Sequence, residues 1–163
     1  NQRFYEKCLL NRPNSISSCY ACVSPFHRES TIKGDFWRLS GSINCFRSKS
    51  KNNESVPCIT LTKLLNNLSE SFYKKYHKNL KKEIDLLKID TGAFEYDVLL
   101  GIDLKLYNIK YILVEILIDL EYESILNYMV KNDYKLLCNF SNFNKKNKLN
   151  WDGSHNDYLF VKI

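Results

Sequence analysis

The stretch from Leu87 to Gly101, LKIDTGAFEYDVLLG, decides how the fold of this chain is interpreted. It begins inside an apolar run, Ile84 to Asp90, which predicts a strand that ends in an acid. Its second half, Phe94 to Leu100, has apolar residues at helical spacing and stops at a glycine. Gly92 lies between the two and allows a sharp turn from strand into helix. Because ligands of parallel α/β sheets bind beyond the carboxyl ends of the strands, Asp90 is the first candidate site residue.

Strand and helix patterns alternate on both sides of this stretch. Helical stripes are predicted after Thr60, over residues 61–68, and over residues 122–130. Further strands are predicted at Ser18–Ser24, Tyr111–Ile116, Tyr134–Phe140 and Tyr158–Ile163. This alternation indicates an α/β fold with a mostly parallel sheet.

The end of the chain and two polar segments depart from that alternation. The last two strands are separated by the 17 residues from Ser141 to Asp157, which show no helical stripe. A connection of this kind permits an antiparallel hairpin at the edge of the sheet. The segments Asp35–Val56 and Ser141–Asn150 are polar and are predicted to be loops.

Length and composition indicate a globular chain. The 163 residues are 44% apolar and 26% charged, which suits one ordinary domain over residues 1–163, or a piece of a domain. No apolar run is long enough to span a membrane, and Asn1–Leu10 lacks the apolar core of a signal peptide. The chain opens with Asn instead of Met, so we expect either that a segment was removed or that the sequence starts within a longer protein.

The six cysteines do not predict a metal site. Cys19 and Cys22 form the one tight pair, and no second C-x-x-C or H-x-x-x-H completes a zinc ligand set. Free thiols in a reducing compartment such as the cytoplasm are the favoured interpretation.

The charge balance is mildly basic. The 24 Lys and Arg outnumber the 18 Asp and Glu, for a net charge of +6. The stretch Phe72–Lys82, FYKKYHKNLKK, interleaves Lys with aromatic residues, a pattern that can bind nucleic acid with a steep salt dependence. A solvated helix face is the favoured alternative, because the basic residues are dispersed and are mostly Lys.

The central stretch resembles the FkbM-type family of S-adenosylmethionine-dependent methyltransferases. That family has the pattern L-K-I-D-x-E-G-x-E-x-x-V-L-x-G, followed by a strand of the type I-x-x-E. The matching residues are Leu87, Lys88, Ile89, Asp90, Glu95, Val98, Leu99, Gly101 and Glu115. Weaker likenesses extend over most of the chain, at Asn11–Pro13, Ala21–Ser24, Val56–Leu65 and Asn156–Lys162. The resemblance implies a Rossmann-like methyltransferase sheet that ends in an antiparallel hairpin.

Two departures from the family pattern bear on function. The Glu-Gly pair of the family falls on Gly92 and Ala93, so the second acid of the motif is missing. The first strands of the fold, with the glycine-rich cofactor loop, have no counterpart in this sequence. The chain thus resembles the carboxyl-terminal portion of the fold, and we expect that loop to lie upstream of Asn1.

The resemblance implies that Asp90, Glu95 and Glu115 are the catalytic residues. Asp90 would contact the cofactor and would orient or deprotonate a substrate hydroxyl, with Glu95 and Glu115 in support. Each acid also has a structural alternative. Asp90 could accept loop amide hydrogens, Glu95 could cap its helix, and Glu115 could be paired or lie at an exposed strand end.

Two functions from different classes follow. The first is an O-methyltransferase that acts on the hydroxyl of a sugar or other small molecule. The second is a non-catalytic methyltransferase-like module with a structural or interaction role in a larger assembly. If the first strands are absent, the strand Ile84–Asp90 has an open edge. We expect that edge to form a homodimer or bind a partner chain, to be covered by the amino-terminal segment, or to cause aggregation.

Overall fold

A computed structural model describes residues 2–35, 42–43, 54–76, 82–141 and 153–163 of the chain. This part is a mixed α/β structure with two four-stranded sheets. The helices are α1 (Gln2–Asn11), α2 (Leu61–Tyr76), α3 (Glu95–Leu100) and α4 (Ile118–Lys131). The strands are β1 (Ala21–Cys22), β2 (Thr31–Asp35), β3 (Ser42–Ile43), β4 (Glu54–Ile59), β5 (Glu83–Ile89), β6 (Asn108–Leu117), β7 (Tyr134–Asn139) and β8 (His155–Lys162). None of the helices described is long and apolar enough to cross a bilayer.

The larger sheet has the strand order β5-β6-β8-β7. β5 and β6 are parallel, whereas β8 runs antiparallel to both β6 and β7. The nearly continuous apolar sequence of β6 explains its central place, since Ile112, Val114 and Ile116 are each 0% exposed. Ile125 and Met129 of α4 belong to the same core. The antiparallel hairpin predicted from the short connection is therefore observed.

The smaller sheet has the order β1-β4-β2-β3 and corrects part of the sequence interpretation. The segment Asp35–Val56 was expected to be a loop, but β2 ends in it, β3 lies within it and β4 begins in it. These strands have few apolar residues, and they form because β2 pairs antiparallel with both β3 and β4. Their sequences gave no local signal for that pairing.

The expectation of a mostly parallel sheet is wrong for the pairings that the structure describes. The pairs β1–β4 and β5–β6 are parallel. The other four pairs are antiparallel, because β2 and β3 add an antiparallel ribbon and β8 reverses direction after β7. The loop predicted at Ser141–Asn150 lies outside the described residues apart from Ser141, and so do residues 77–81 of the basic stretch.

The start of α2, the helix that follows β4, lies close to the end of α3, the helix that follows β5. Thr60 caps α2, since its Oγ1 accepts a hydrogen bond from the Lys63 amide at 3.3 Å. Gly101 ends α3, and its carbonyl accepts a hydrogen bond from the Thr62 amide at 3.0 Å. A Cβ at position 101 would overlap the Val23 carbonyl oxygen. Glycine is therefore required where the end of α3 meets the start of α2 and the chain after β1.

Candidate active site

Three carboxylates lie side by side at the carboxyl end of β5. Asp90 follows the pair formed by Ile89 of β5 and Val114 of β6, which places it next to Glu115. Glu115 is in turn the cross-strand partner of Asp157 on β8. Partners in adjacent strands project to the same face of a sheet, so the three acids form one row. We call Asp90, Glu115 and Asp157 the strand-end acids.

A lysine contacts this row from the same strand as Asp90. Lys88 lies two residues before Asp90 and so projects to the same face. Its Nζ lies 2.8 Å from Asp90 Oδ2, and about half of each side chain is exposed. The hydrogen bond to Asp90 raises the pKa of Lys88, and the charges of all three strand-end acids add to the increase. A positive charge is thus held among three carboxylates.

The surroundings of Glu115 in this row raise the pKa of its carboxyl group. Burial raises the pKa of Glu115, and the neighbouring Asp90 raises it further by repulsion and by a side-chain hydrogen bond. His155 acts in the opposite direction, since its Nε2 lies 3.6 Å from Glu115 Oε1. A carboxyl group that binds a proton more readily than usual, beside a second carboxylate, is suited to accepting a proton during a reaction.

The loop behind Asp90 contains two consecutive residues in the left-handed region. Gly92 has a φ of +69° and Ala93 a φ of +84°. The carboxylate of Glu95 holds this loop, because its Oε1 accepts hydrogen bonds from the Thr91 amide at 2.7 Å and the Thr91 hydroxyl at 3.0 Å. Its Oε2 accepts the Ala93 amide at 3.0 Å. Glu95 is only 1% exposed, so its side chain fixes the turn from β5 into α3.

A second buried glutamate lies against the first turn of α3. Glu121, on α4, is 8% exposed, and its Oε1 accepts a hydrogen bond from the Tyr96 amide at 3.3 Å. Its Oε2 is buried and accepts no hydrogen bond. Burial raises the pKa of Glu121 to about 7, and a side-chain hydrogen bond and repulsion from Glu95 contribute to the increase. Two carboxyl groups from different helices therefore bond to neighbouring backbone amides, Glu95 in the loop behind Asp90 and Glu121 in the first turn of α3.

The structure separates the three acids that the sequence motif singles out. Asp90 and Glu115 lie together, and the Asp90 side chain remains 47% exposed at the end of its strand. The Glu95 carboxylate instead points into the loop and bonds to the backbone that follows Asp90. Both Asp157 and Glu121 were missed, because the pairing of β6 with β8 and the packing of α4 on α3 are not visible as a local pattern. The weak likeness to the family over Asn156–Lys162 was the one available signal for Asp157, which the strand prediction left in the preceding connection.

The described residues do not assemble a metal site. No group of three or more His, Cys, Asp or Glu in the described ranges has an arrangement that could hold a metal ion. The cysteines within those ranges, Cys8, Cys19, Cys22, Cys58 and Cys138, are free thiols. Burial raises the pKa of Cys22, so the thiolate form of this side chain is disfavoured.

Comparison with known proteins identifies the family. The chain has no significant match among curated proteins or among solved structures. The family profile described as "Methyltransferase FkbM domain" matches residues 9–136, from the later part of α1 to the middle of β7. The match includes the motif from Leu87 to Gly101 together with Glu115, Glu95 and Glu121. The chain therefore belongs to the FkbM methyltransferase domain family.

Proposed function

We propose that this chain is part of an O-methyltransferase that transfers a methyl group from S-adenosylmethionine to a hydroxyl of a sugar or other small molecule. The observation that supports the proposal most directly is the placement of Asp90. It is an exposed carboxylate at the end of β5, it lies beside Glu115 and Lys88, and it belongs to the motif that the family profile matches. Family membership supports methyl transfer, and the carboxylates support a hydroxyl acceptor.

The proposal includes the architecture. We propose that residues 1–163 form a single methyltransferase-like domain in which the larger sheet is the later part of a Rossmann-like sheet. Its order β5-β6-β8-β7, with an antiparallel β8 between β6 and β7, supports this assignment. In that arrangement the strand-end acids lie where doubly wound folds bind their ligands.

The residues of this chain have defined roles in the proposal. Asp90 accepts a hydrogen bond from the acceptor hydroxyl, orients it and takes up its proton as the oxygen becomes methylated. Lys88 fixes the Asp90 carboxylate through the contact with Oδ2. Glu115, whose pKa is raised by burial, lies beside Asp90 and can accept the proton that Asp90 takes up. Glu95 contributes indirectly, because its buried carboxylate holds the loop that follows Asp90.

The strand-end acids also suit the cofactor that the family implies. S-adenosylmethionine supplies an electrophilic methyl group on a positively charged sulfur, and three carboxylates create the negative potential that such a cation favours. The loop leaves room for a ligand, since a Cβ at Gly92 would meet no atom within 4 Å. The glycines that the structure describes are dispersed along the chain and do not form a glycine-rich loop after a strand. Asp90 is therefore the cofactor contact that we assign to this chain.

The test is calorimetric titration of the purified protein with S-adenosylmethionine. We expect micromolar binding, and we expect Asp90→Asn to weaken it at least about tenfold, the loss typical of a hydrogen bond to a charged group. Asp85→Asn is the matched control, because Asp85 is an exposed acid on the same strand about 17 Å before Asp90. A panel of hydroxyl-bearing acceptors with a radiolabelled methyl donor then measures transfer.

Three outcomes contradict the proposal. If the wild-type protein gives no heat of binding, the non-catalytic module is favoured. The presence of Gly92 in place of the motif acid supports that alternative. Equal weakening by Asp85→Asn and Asp90→Asn shows that the effect is one of net charge only. Binding without transfer to any hydroxyl acceptor removes O-methylation.

A further inference from the structure

The hydrogen bonds of Glu95 indicate whether its carboxyl group is ionised. The Thr91 amide, the Thr91 hydroxyl and the Ala93 amide all donate to this one carboxyl group. A carboxylate only accepts hydrogen bonds, so three donors suit the ionised group. Glu95 therefore places a negative charge at a site that is 1% exposed.

Glu121 brings a second carboxyl group to the same place. It reaches from the first turn of α4 to the first turn of α3, where it accepts the Tyr96 amide. Glu121 thus bonds to the residue that follows Glu95, so two buried carboxyl groups meet at the first turn of α3. Since Glu121 Oε2 is buried and accepts no hydrogen bond, it is the oxygen best placed to hold a proton.

We infer that Glu121 and Glu95 share one proton, and that this hydrogen-bonded carboxyl pair positions the loop Thr91–Phe94 behind Asp90. Two adjacent carboxylates buried together repel each other, whereas a carboxylic acid donates a hydrogen bond to its ionised neighbour. Glu121 is therefore a positioning residue that acts through Glu95. The effect on ligand binding at Asp90 rests on the proposed function, but the sharing of the proton does not.

The charges around the pair all favour a protonated Glu121. Glu95 and Asp97, both on α3, repel a negative charge on Glu121, and burial disfavours that charge most of all. The Tyr96 amide is the contact that acts in the opposite direction. As a result the pKa of Glu121 is raised to about 7 from its ordinary value of 4.5.

The sign of the pH effect follows from the raised pKa. The folded state binds this proton more tightly than the unfolded state, so the stabilisation is fully present below the unfolded pKa of 4.5. It is lost as the pH rises towards and through about 7. Above that pH the pair carries two charges, and the contact between α3 and α4 that supports the loop is weakened.

The experiment compares Glu121→Gln with wild type between pH 5 and pH 9, with NMR resonances of the Thr91 and Ala93 amides as the readout. The wild-type resonances are expected to shift with a midpoint of about 7. Glutamine has the same shape, donates an N–H to Glu95, accepts the Tyr96 amide and does not titrate in this range. In Glu121→Gln the two resonances should remain near their positions in the protonated wild type and show no midpoint.

Two further variants separate positioning from simple loss of structure. Glu123→Gln, an exposed position on the same helix, should retain the wild-type midpoint. Glu121→Ala removes the donor to Glu95 and should displace both resonances at every pH. Wild-type resonances that do not shift, or a midpoint that persists in Glu121→Gln, would overturn the inference.

A final measurement distinguishes the inference from the proposed function. S-adenosylmethionine affinity is measured for wild type and Glu121→Gln at pH 6 and pH 8. Both conclusions are supported if the affinity is lower at pH 8 than at pH 6 in wild type but is the same at both pH values in Glu121→Gln. An NMR midpoint of about 7 in a protein that does not bind the cofactor supports the proton pair and contradicts the function. Cofactor binding without that midpoint supports the function and contradicts the pair.

Discussion

Ala93 donates its backbone amide to the carboxylate of Glu95 across 3.0 Å while its own backbone holds a φ of +84°. This left-handed conformation brings the Cβ of an L-residue close to the following carbonyl oxygen, which glycine avoids. The family pattern has glycine at the position that Ala93 occupies. The hydrogen bond to Glu95 therefore holds alanine in a conformation that suits glycine.

Ala93→Gly is expected to stabilise the protein by about 1 kcal/mol. Removing the Cβ relieves about 1–2 kcal/mol of backbone strain, and the greater freedom of glycine in the unfolded chain offsets part of that gain. Urea denaturation measures the difference. Ala21→Gly in β1 is the control and should destabilise by about 0.5–1 kcal/mol, because Ala21 lies in an extended strand. A loss of stability in Ala93→Gly would show that this loop carries no strain.

Gly101→Ala is expected to destabilise the protein by about 2 kcal/mol, the usual cost of overpacking. The added Cβ would overlap the carbonyl oxygen of Val23, a backbone atom that cannot rotate away. Gly92→Ala is the comparison, because its Cβ would meet no atom within 4 Å and its cost comes from the φ of +69° alone. Thermal unfolding of both variants tests the distinction. An unchanged melting temperature in Gly101→Ala would show that the contact between α3 and the chain after β1 is loose.

The features predicted correctly from the sequence are those whose signal is local. The apolar run that forms β5, the acid at its end and the apolar spacing of α3 all lie within one stretch, so the position of Asp90 could be predicted. The row of strand-end acids could not, because Asp157 joins it through strand register between distant segments. Glu121 escaped for a similar reason. It lies just before the helical stripe predicted over residues 122–130, and only the packing of α4 on α3 shows that its carboxyl group is buried near Glu95.

The pH dependence of stability should reveal the raised pKa of Glu115. Burial and Asp90 raise that pKa, so the folded state favours the protonated group. Its stabilisation is present below the unfolded pKa and is lost as the pH rises through the folded pKa. Glu115→Gln does not titrate in this range. Its stability relative to wild type should therefore increase from pH 4 to pH 8, as measured by urea denaturation at each pH.

His155 provides the internal check on that prediction. The imidazole lies 3.6 Å from Glu115 and lowers its pKa. In His155→Gln the repulsion from Asp90 is no longer opposed. The gain in stability that Glu115→Gln produces at pH 6 should therefore be larger in the His155→Gln background than in the wild-type background. If the stability of Glu115→Gln relative to the protein with Glu115 decreases with pH, or is the same with and without His155→Gln, then Glu115 is ionised without a cost in stability.

Among the strands that the structure describes, β5 forms one edge of the larger sheet, and this edge predicts self-association. β5 is the first strand in the order β5-β6-β8-β7, and β1, the strand nearest the amino terminus, pairs with β4 instead of adding to it. Leu86 on β5 is 53% exposed, and an edge strand with exposed apolar residues tends to pair with another chain. We expect two copies to pair through this edge, so that sedimentation gives twice the 19.3 kDa of the chain at high concentration.

Matched substitutions at the two edges of the sheet test that expectation. Leu86→Lys places a charge on the β5 edge and should return the protein to a monomer over the same range of concentrations. Leu137→Lys makes the same change on β7, the opposite edge strand, at a residue that is also 53% exposed, and should leave the dimer intact. A wild-type protein that stays monomeric contradicts self-association. A dimer that Leu137→Lys disrupts and Leu86→Lys does not would instead place the interface on β7.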